Sequence, residues 1–245
     1  MSAPLRLVHR DGALMAHATA ARLLAVLTEA QAVRGSATVV LTGGRNGNAL
    51  LAALADAPAR DAVDWSRVNL WWGDERYLPE GHPERNVHQA RAALLDRVGL
   101  DPSRVHPMPA ADGPHGPDVG AAAAAYAAEL AEAARQEGGD TLPHFDVVLL
   151  GVGPDTHVAS LFPGLPQVAE TTRTVVAVTD APKPPPTRLS LTLPAIRSAR
   201  QVWLLAAGAD KADAAALALS GPPAARAPAA QARGRERTLW LLDEA

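Results

Sequence analysis

Asp155 and His157 stand two residues apart in the stretch 145–164, FDVVLLGVGPDTHVASLFPG. A carboxylate can orient an imidazole, and an imidazole titrates near neutral pH, so the pair suits a general base with its orienting partner. The same spacing equally suits an Asp155 that caps the following turn beside a surface His157. Gly151 and Gly153 precede the pair and let the backbone turn sharply and approach a ligand closely. Further charge follows other apolar runs. Gly73-Asp74-Glu75-Arg76 comes directly after VNLWW. One reading is an internal ion pair on a solvated loop. The other puts Arg76 on substrate oxygens, with Asp74 or Glu75 holding it. Thr42-Gly43-Gly44-Arg45-Asn46-Gly47 is a glycine turn between an apolar run and a helical one. Free N–H groups of Gly43 and Gly44 at a helix N-terminus make an anion site, and Arg45 adds a charge-assisted bond to a phosphate. The turn is neither GxxxxGK[ST] nor GxGxxG, so nucleotide and dinucleotide fingerprints are absent. Asn86 is placed to cap the next helix. Arg188 opens an alternating run, and Lys211, one of two lysines, sits in the first turn of a later helix.

These residues need elements to hold them. Apolar runs predict strands over 5–9, 38–41, 68–72, 147–150, 174–178, 188–192, 201–206 and 237–242, with a further strand candidate at 104–106. Helical spacing falls over 11–33, 49–55, 86–98, 119–135, 193–199 and 212–219, and a short helical turn over 159–162. Strand and helix alternate without a break long enough to be a linker. The pattern predicts one α/β domain over 1–245, built on a doubly wound, mainly parallel sheet with helices on both faces. In such a sheet the loops past the carboxyl ends of the strands share one edge, where ligands bind. That edge would gather Arg45, Arg76, Arg188 and Lys211 around His157, a setting for a small, phosphorylated, oxygen-rich molecule.

Composition narrows the classes. The 245 residues are 48% hydrophobic, with 23 basic and 26 acidic side chains and a net charge of −3. That balance gives no reason to expect nucleic acid or a membrane as partner. No cysteine is present, so disulfides and thiolate chemistry are excluded. No signal-like or membrane-length apolar run occurs, and a soluble cytoplasmic protein is the default expectation, as is a monomer.

The motifs LTGGRNG, LWWGDERYLP followed by ERN, LLGVGPDTHVASLFPG, and RLSLTLPAI with the later AAGADK occur in this order from about Val39 to Lys211. Together they resemble the glucosamine-6-phosphate isomerase/6-phosphogluconolactonase family, on its lactonase side. WGDER and GPDxHxASLFPG are the most specific of them. The resemblance implies the fold of glucosamine-6-phosphate deaminase, no cofactor, and hydrolysis of 6-phospho-D-glucono-1,5-lactone, the second step of the oxidative pentose phosphate pathway. It implies His157, Asp155 and Arg76 as catalytic residues. Gly43, Gly44, Arg45, Asp74, Glu75, Asn86, Gly153, Arg188 and Lys211 would bind substrate. Three positions depart from the family pattern. Arg45 and Asn46 replace the hydroxyl residues of an SGGSTP-like loop, and Thr156 stands where glycine is usual. The chemistry is coherent by itself: a δ-lactone is an activated ester, and without a GxSxG elbow direct attack by water is favoured over an acyl-enzyme. An amino-sugar phosphate isomerase would use the carboxylates of Asp74 and Glu75, but the LFPG ending and the arginine after Glu75 suit it less. A sugar-phosphate sensor would need a DNA-binding segment that is not present.

Overall fold

A computed structural model describes residues 3–245. In chain order the elements are β1 (Leu5–His9), α1 (Gly12–Arg34), β2 (Ala37–Leu41), α2 (Gly44–Ala55), β3 (Val68–Trp72), β4 (Asp74–Arg76), α3 (Asn86–Ala93), α4 (Val119–Gln136), β5 (Val147–Gly151), β6 (Val175–Val178), β7 (Arg188–Leu191), α5 (Leu193–Arg197), β8 (Gln201–Ala206), α6 (Ala212–Leu219) and β9 (Arg237–Asp243). Six strands form a parallel sheet in the order β1-β9-β8-β5-β2-β3. The central strands β2, β5 and β8 are apolar runs buried along nearly their whole length, as strands covered on both faces must be. Edge strand β1 leaves Leu5 and Val8 exposed. From β2 the chain moves outward to β3, whereas from β5 it moves the other way through β8 to β9. The order therefore reverses between β2 and β5, and the loops leaving those two strands diverge over a crevice. Local chemistry fixes the ends of α1. Asp11 caps α1 by accepting from the Leu14 amide, and Gly35, at φ 78°, ends it in the left-handed conformation.

Several expectations need correction. The segments 174–178 and 188–192 are strands, but they do not join the parallel sheet. With β4 they form a second, three-stranded sheet, β4-β7-β6, in which β7 pairs antiparallel with both neighbours. Asp74–Arg76 is thus a strand, not part of a loop. Gly73 is the only residue between β3 and β4, and it bonds to both sheets: its N–H donates to Leu41 O at 2.9 Å and its carbonyl accepts from Leu191 N at 2.8 Å. Alternation in RLSLT shows a strand but not which neighbour it pairs with. Residues 159–162 are not a helical turn; Val158 bridges both Val152 and Leu161, and Ala159 has φ 50°. The strand candidate 104–106 reduces to one bridge between Val105 and Leu70. Helix α2 begins at Gly44, so the glycine turn is itself the first helical turn. Both sheets contribute to one apolar core, with Trp71, Trp72, Trp203 and Trp240 among its largest buried side chains. Among the described residues no helix is long and apolar enough to cross a membrane.

Candidate active site

A cavity of about 270 Å³ lies over the β2–β5 crevice. One end is the start of α2. Gly43 holds the N-cap position with no side-chain cap, so the first amides of the helix are left for a ligand. A Cβ on Gly43 would fall 1.9 Å from Asn86 Oδ1, so only glycine allows the loop and Asn86 to meet. Arg45 is not free, as the sequence suggested. Its Nη2 donates to Asp210 Oδ1 at 2.6 Å and to Ala207 O at 3.0 Å. Lys211 Nζ lies 3.4 Å from the other oxygen of Asp210. Two cations thus share one half-exposed carboxylate at this end. Asp210 went unnoticed in the sequence because an acid next to a lysine in a helix's first turn looks like ordinary capping chemistry.

The other end is the loop leaving β5. Gly153 N–H donates to His157 O at 2.9 Å, and Thr156 N–H to Gly153 O at 2.9 Å. A Cβ on Gly153 would lie 2.0 Å from His157 Nδ1. Thr156 has φ 71°, a conformation that suits glycine, which accounts for the residue usual at this position. Two contacts hold it there: Oγ1 donates to Arg226 O at 3.3 Å, and its carbonyl accepts from Ala229 N at 3.1 Å. The tight loop puts His157 Nδ1 2.5 Å from Asp155 Oδ1 and leaves Nε2 as the ring nitrogen without a side-chain partner. Burial raises the Asp155 carboxyl, but the hydrogen bond and charge of His157, with the Lys183 ammonium, outweigh it and hold the group well below the usual carboxylate range. The His157 ring lies against Phe162, centroids 4.5 Å apart, and the Arg188 guanidinium stands 5.6 Å from the centroid of that phenyl ring. Phe162 comes from the LFPG run and supports the pair by packing.

The small sheet forms the wall between these ends. Asp74, 6% exposed, accepts from Ser160 Oγ at 2.8 Å and from Asn86 Nδ2 at 3.3 Å. Asn86 does not cap its helix; it is the first helical residue. The cap is Glu75, whose carboxylate accepts from Asn86 N at 2.6 Å and Val87 N at 3.0 Å, and also from its neighbour Arg76 N at 2.8 Å. Glu75 is fully buried and, unlike the other residues expected to bind substrate, does not line the cavity. Burial pushes its carboxyl up against the pull of those amides and of Arg85. Arg76 does line the cavity. Neither Asp74 nor Glu75 grips its guanidinium; Nη1 donates to Glu84 O at 2.5 Å, and Nε has no partner. Arg188 is 5% exposed; its Nε and Nη2 donate to the carbonyls of Lys183, Pro184 and Pro185. Lys183, left out of the sequence-derived set, lines the cavity with Nζ 3.4 Å from Asp155 Oδ1. Its only sequence signal was its rarity and its place in PKPPP just ahead of Arg188. Of the expected residues, Gly43, Gly44, Arg45, Asp74, Arg76, Asn86, Gly153, His157, Arg188 and Lys211 line one cavity, and Asp155 stands behind His157. Among the described residues no three His, Asp or Glu side chains are grouped so as to hold a metal ion.

Comparison with known proteins identifies relatives along nearly the whole chain. The family described as glucosamine-6-phosphate isomerases/6-phosphogluconolactonase matches residues 10–240. The chain is 70% identical to the 6-phosphogluconolactonase of Streptomyces coelicolor, over 99% of this chain and 93% of that one. It is 53% identical to the Mycobacterium tuberculosis 6-phosphogluconolactonase over 95% and 93% of the two chains. The structure of 6-phosphogluconolactonase from Trypanosoma cruzi is similar with a TM-score of 0.85 at 25% identity, covering 100% of this chain and 96% of that one. A monomeric glucosamine-6-phosphate deaminase shares the fold, with a TM-score of 0.78 at 17% identity over 98% and 97% of the chains. Matched along nearly its whole length by that family model and by these relatives, the chain belongs to the glucosamine-6-phosphate isomerase/6-phosphogluconolactonase family, on its 6-phosphogluconolactonase branch.

Proposed function

We propose that the chain hydrolyses 6-phospho-D-glucono-1,5-lactone to 6-phospho-D-gluconate, the second step of the oxidative pentose phosphate pathway, by direct attack of water. The observation that carries this reading is the Asp155–His157 pair facing the same cavity as a helix start with uncapped amides and two cations. His157 Nε2 takes a proton from water as its oxygen bonds to the lactone carbonyl carbon. Asp155 orients the ring through Nδ1 and stabilises the imidazolium that forms. Arg76, with an unpartnered Nε and its guanidinium in the cavity, stabilises the oxyanion of the tetrahedral adduct. The adduct collapses by breaking the bond from that carbon to the ring oxygen, which takes the proton back from His157. The new acid then ionises to solvent. The amides of Gly43 and Gly44, with Arg45 and Lys211, hold the phosphate. Asp74, fixed by Ser160 and Asn86, accepts from sugar hydroxyls along the wall. The reaction needs water and these side chains, with no cofactor.

Initial rates on freshly prepared lactone, against glucosamine 6-phosphate under the same conditions, test the reading. Hydrolysis of the lactone well above its spontaneous rate, with no ammonia released from the amino sugar, is expected. Turnover of the amino sugar alone would overturn it.

A further inference from the structure

The segment 180–187, DAPKPPPT, joins β6 to β7 and holds Lys183. Prolines at 184–186 have no N–H, so this strap cannot build its own ladder, and its carbonyls need outside donors. Arg188 supplies them. Its Nε donates to Pro185 O at 3.0 Å, and Nη2 donates to Lys183 O at 3.1 Å and Pro184 O at 3.2 Å. The Ala181 amide closes the strap on Pro186 O at 3.1 Å. Folded this way, the strap carries the Lys183 ammonium to 3.4 Å from Asp155 Oδ1, the same oxygen that receives His157 Nδ1. Nε and Nη2 of Arg188 are thereby committed to backbone, while Nη1 makes no hydrogen bond among the described residues.

We propose that Lys183 is a positioning residue for the reaction, holding Asp155 in place for His157 and offsetting its charge, and that Arg188 is the clamp that delivers it. This rests on the reading of His157 as general base. A carboxylate alone favours the imidazolium and so keeps the base protonated to higher pH. An ammonium on the same oxygen opposes that bias while leaving the hydrogen bond that orients the ring. The other charged groups around the pocket are Asp74 and Arg76 of β4, Arg188 of β7, Arg45 of α2, and Asp210 and Lys211 after β8. None of them is altered in a Lys183 variant.

The experiment measures kcat and KM against pH on fresh lactone for the native enzyme, Lys183→Met, Lys183→Arg and Arg188→Gln. The Lys183 side chain is 40% exposed, so the methionine variant keeps the fold. It is expected to lower kcat about tenfold, to change KM less than about threefold, and to move the acid limb of kcat/KM upward by roughly half to one pH unit. Lys183→Arg should bring the limb most of the way back. Arg188→Gln should move it in the same direction, and the double variant should be about as impaired as the worse single one. An unmoved limb, a loss confined to KM, or full additivity of the two substitutions would overturn the proposal. A readout without substrate separates this from failure of the lactonase reading. The imidazole NMR signal missing in His157→Gln should titrate at higher pH in Lys183→Met than in the native protein, whichever substrate is turned over. The same titration in both would end the proposal.

Discussion

The two ends of the cavity are built on opposite principles. At the His157 end, a fixed geometry is imposed by backbone: a left-handed Thr156 is pinned by two hydrogen bonds, Gly153 lies flush against the imidazole, and Phe162 backs the ring. At the Lys211 end the side chains are looser. Arg45 is 62% and Asp210 51% exposed, and the start of α2 beside them carries no side-chain cap. Proton transfer requires an atom held to a fraction of an ångström, whereas an anion is held well by any convergent set of positive dipoles and charges. Asp210 takes the cations in the absence of substrate, and a phosphate would compete with it.

Substitutions at the two ends should therefore divide between kcat and KM. The largest effect is expected for His157→Ala: kcat lower by about 10²–10⁴ after subtraction of spontaneous hydrolysis, with KM changed far less. Near-native kcat would erase the distinction. Next is Lys211→Ala, which should raise KM roughly 10- to 150-fold, the worth of a charged hydrogen bond of ~1.5–3 kcal/mol, with kcat nearly kept. Unphosphorylated gluconolactone should be indifferent to it, and equal losses on both substrates would place Lys211 at the ring. Asp210→Asn is expected to be milder, lowering KM about two- to fivefold by removing a carboxylate that competes with the phosphate. A rise in KM would show that Asp210 positions Arg45 instead.

The smallest effect concerns pH and stability. The Asp155 carboxyl titrates lower in the folded protein than in the unfolded chain, where a carboxyl of its type titrates near ~3.9. On acidification the unfolded chain therefore takes the proton first. The contribution is complete at neutral pH and fades as pH falls below about 4. Thermal melts of Asp155→Asn should lose less Tm between pH 6 and pH 3 than the native protein, within about this window. Parallel loss in both would show that the His157 end stores none of its order in that pair.

Backbone-built features of this site were legible in the sequence, and side-chain partnerships were not. Gly43, Gly153 and the apolar runs of β2 and β5 announce themselves, because a tight turn and a doubly covered strand each admit few residue types. His157 was legible because its loop is local. Glu75 was misplaced because a carboxylate that caps a helix eleven residues away looks the same in sequence as one that awaits a ligand. Arg188 was read as a phosphate ligand for a similar reason; its partners lie in a proline strap whose path only the small sheet determines. That sheet was missed as a unit because antiparallel pairing across distant segments leaves no periodicity beyond each strand's own.

Gly73 ties the two sheets by one residue, donating to Leu41 in the parallel sheet and accepting from Leu191 in the small one. Asp74, Arg76, Lys183 and Arg188 lie beyond that tie, while Gly43 and His157 lie before it, on loops of the parallel sheet. The three-stranded sheet is the smaller of the two, and although it shares the core, a local opening confined to it would cost less than unfolding the whole molecule. Dilute denaturant should therefore silence the enzyme while the parallel sheet still shows its full far-UV signal, with the amides of β6 and β7 exchanging ahead of those of β5 and β8. Catalysis in this protein would then report on the weakest of its foldons, and activity would be the first property lost under mild stress.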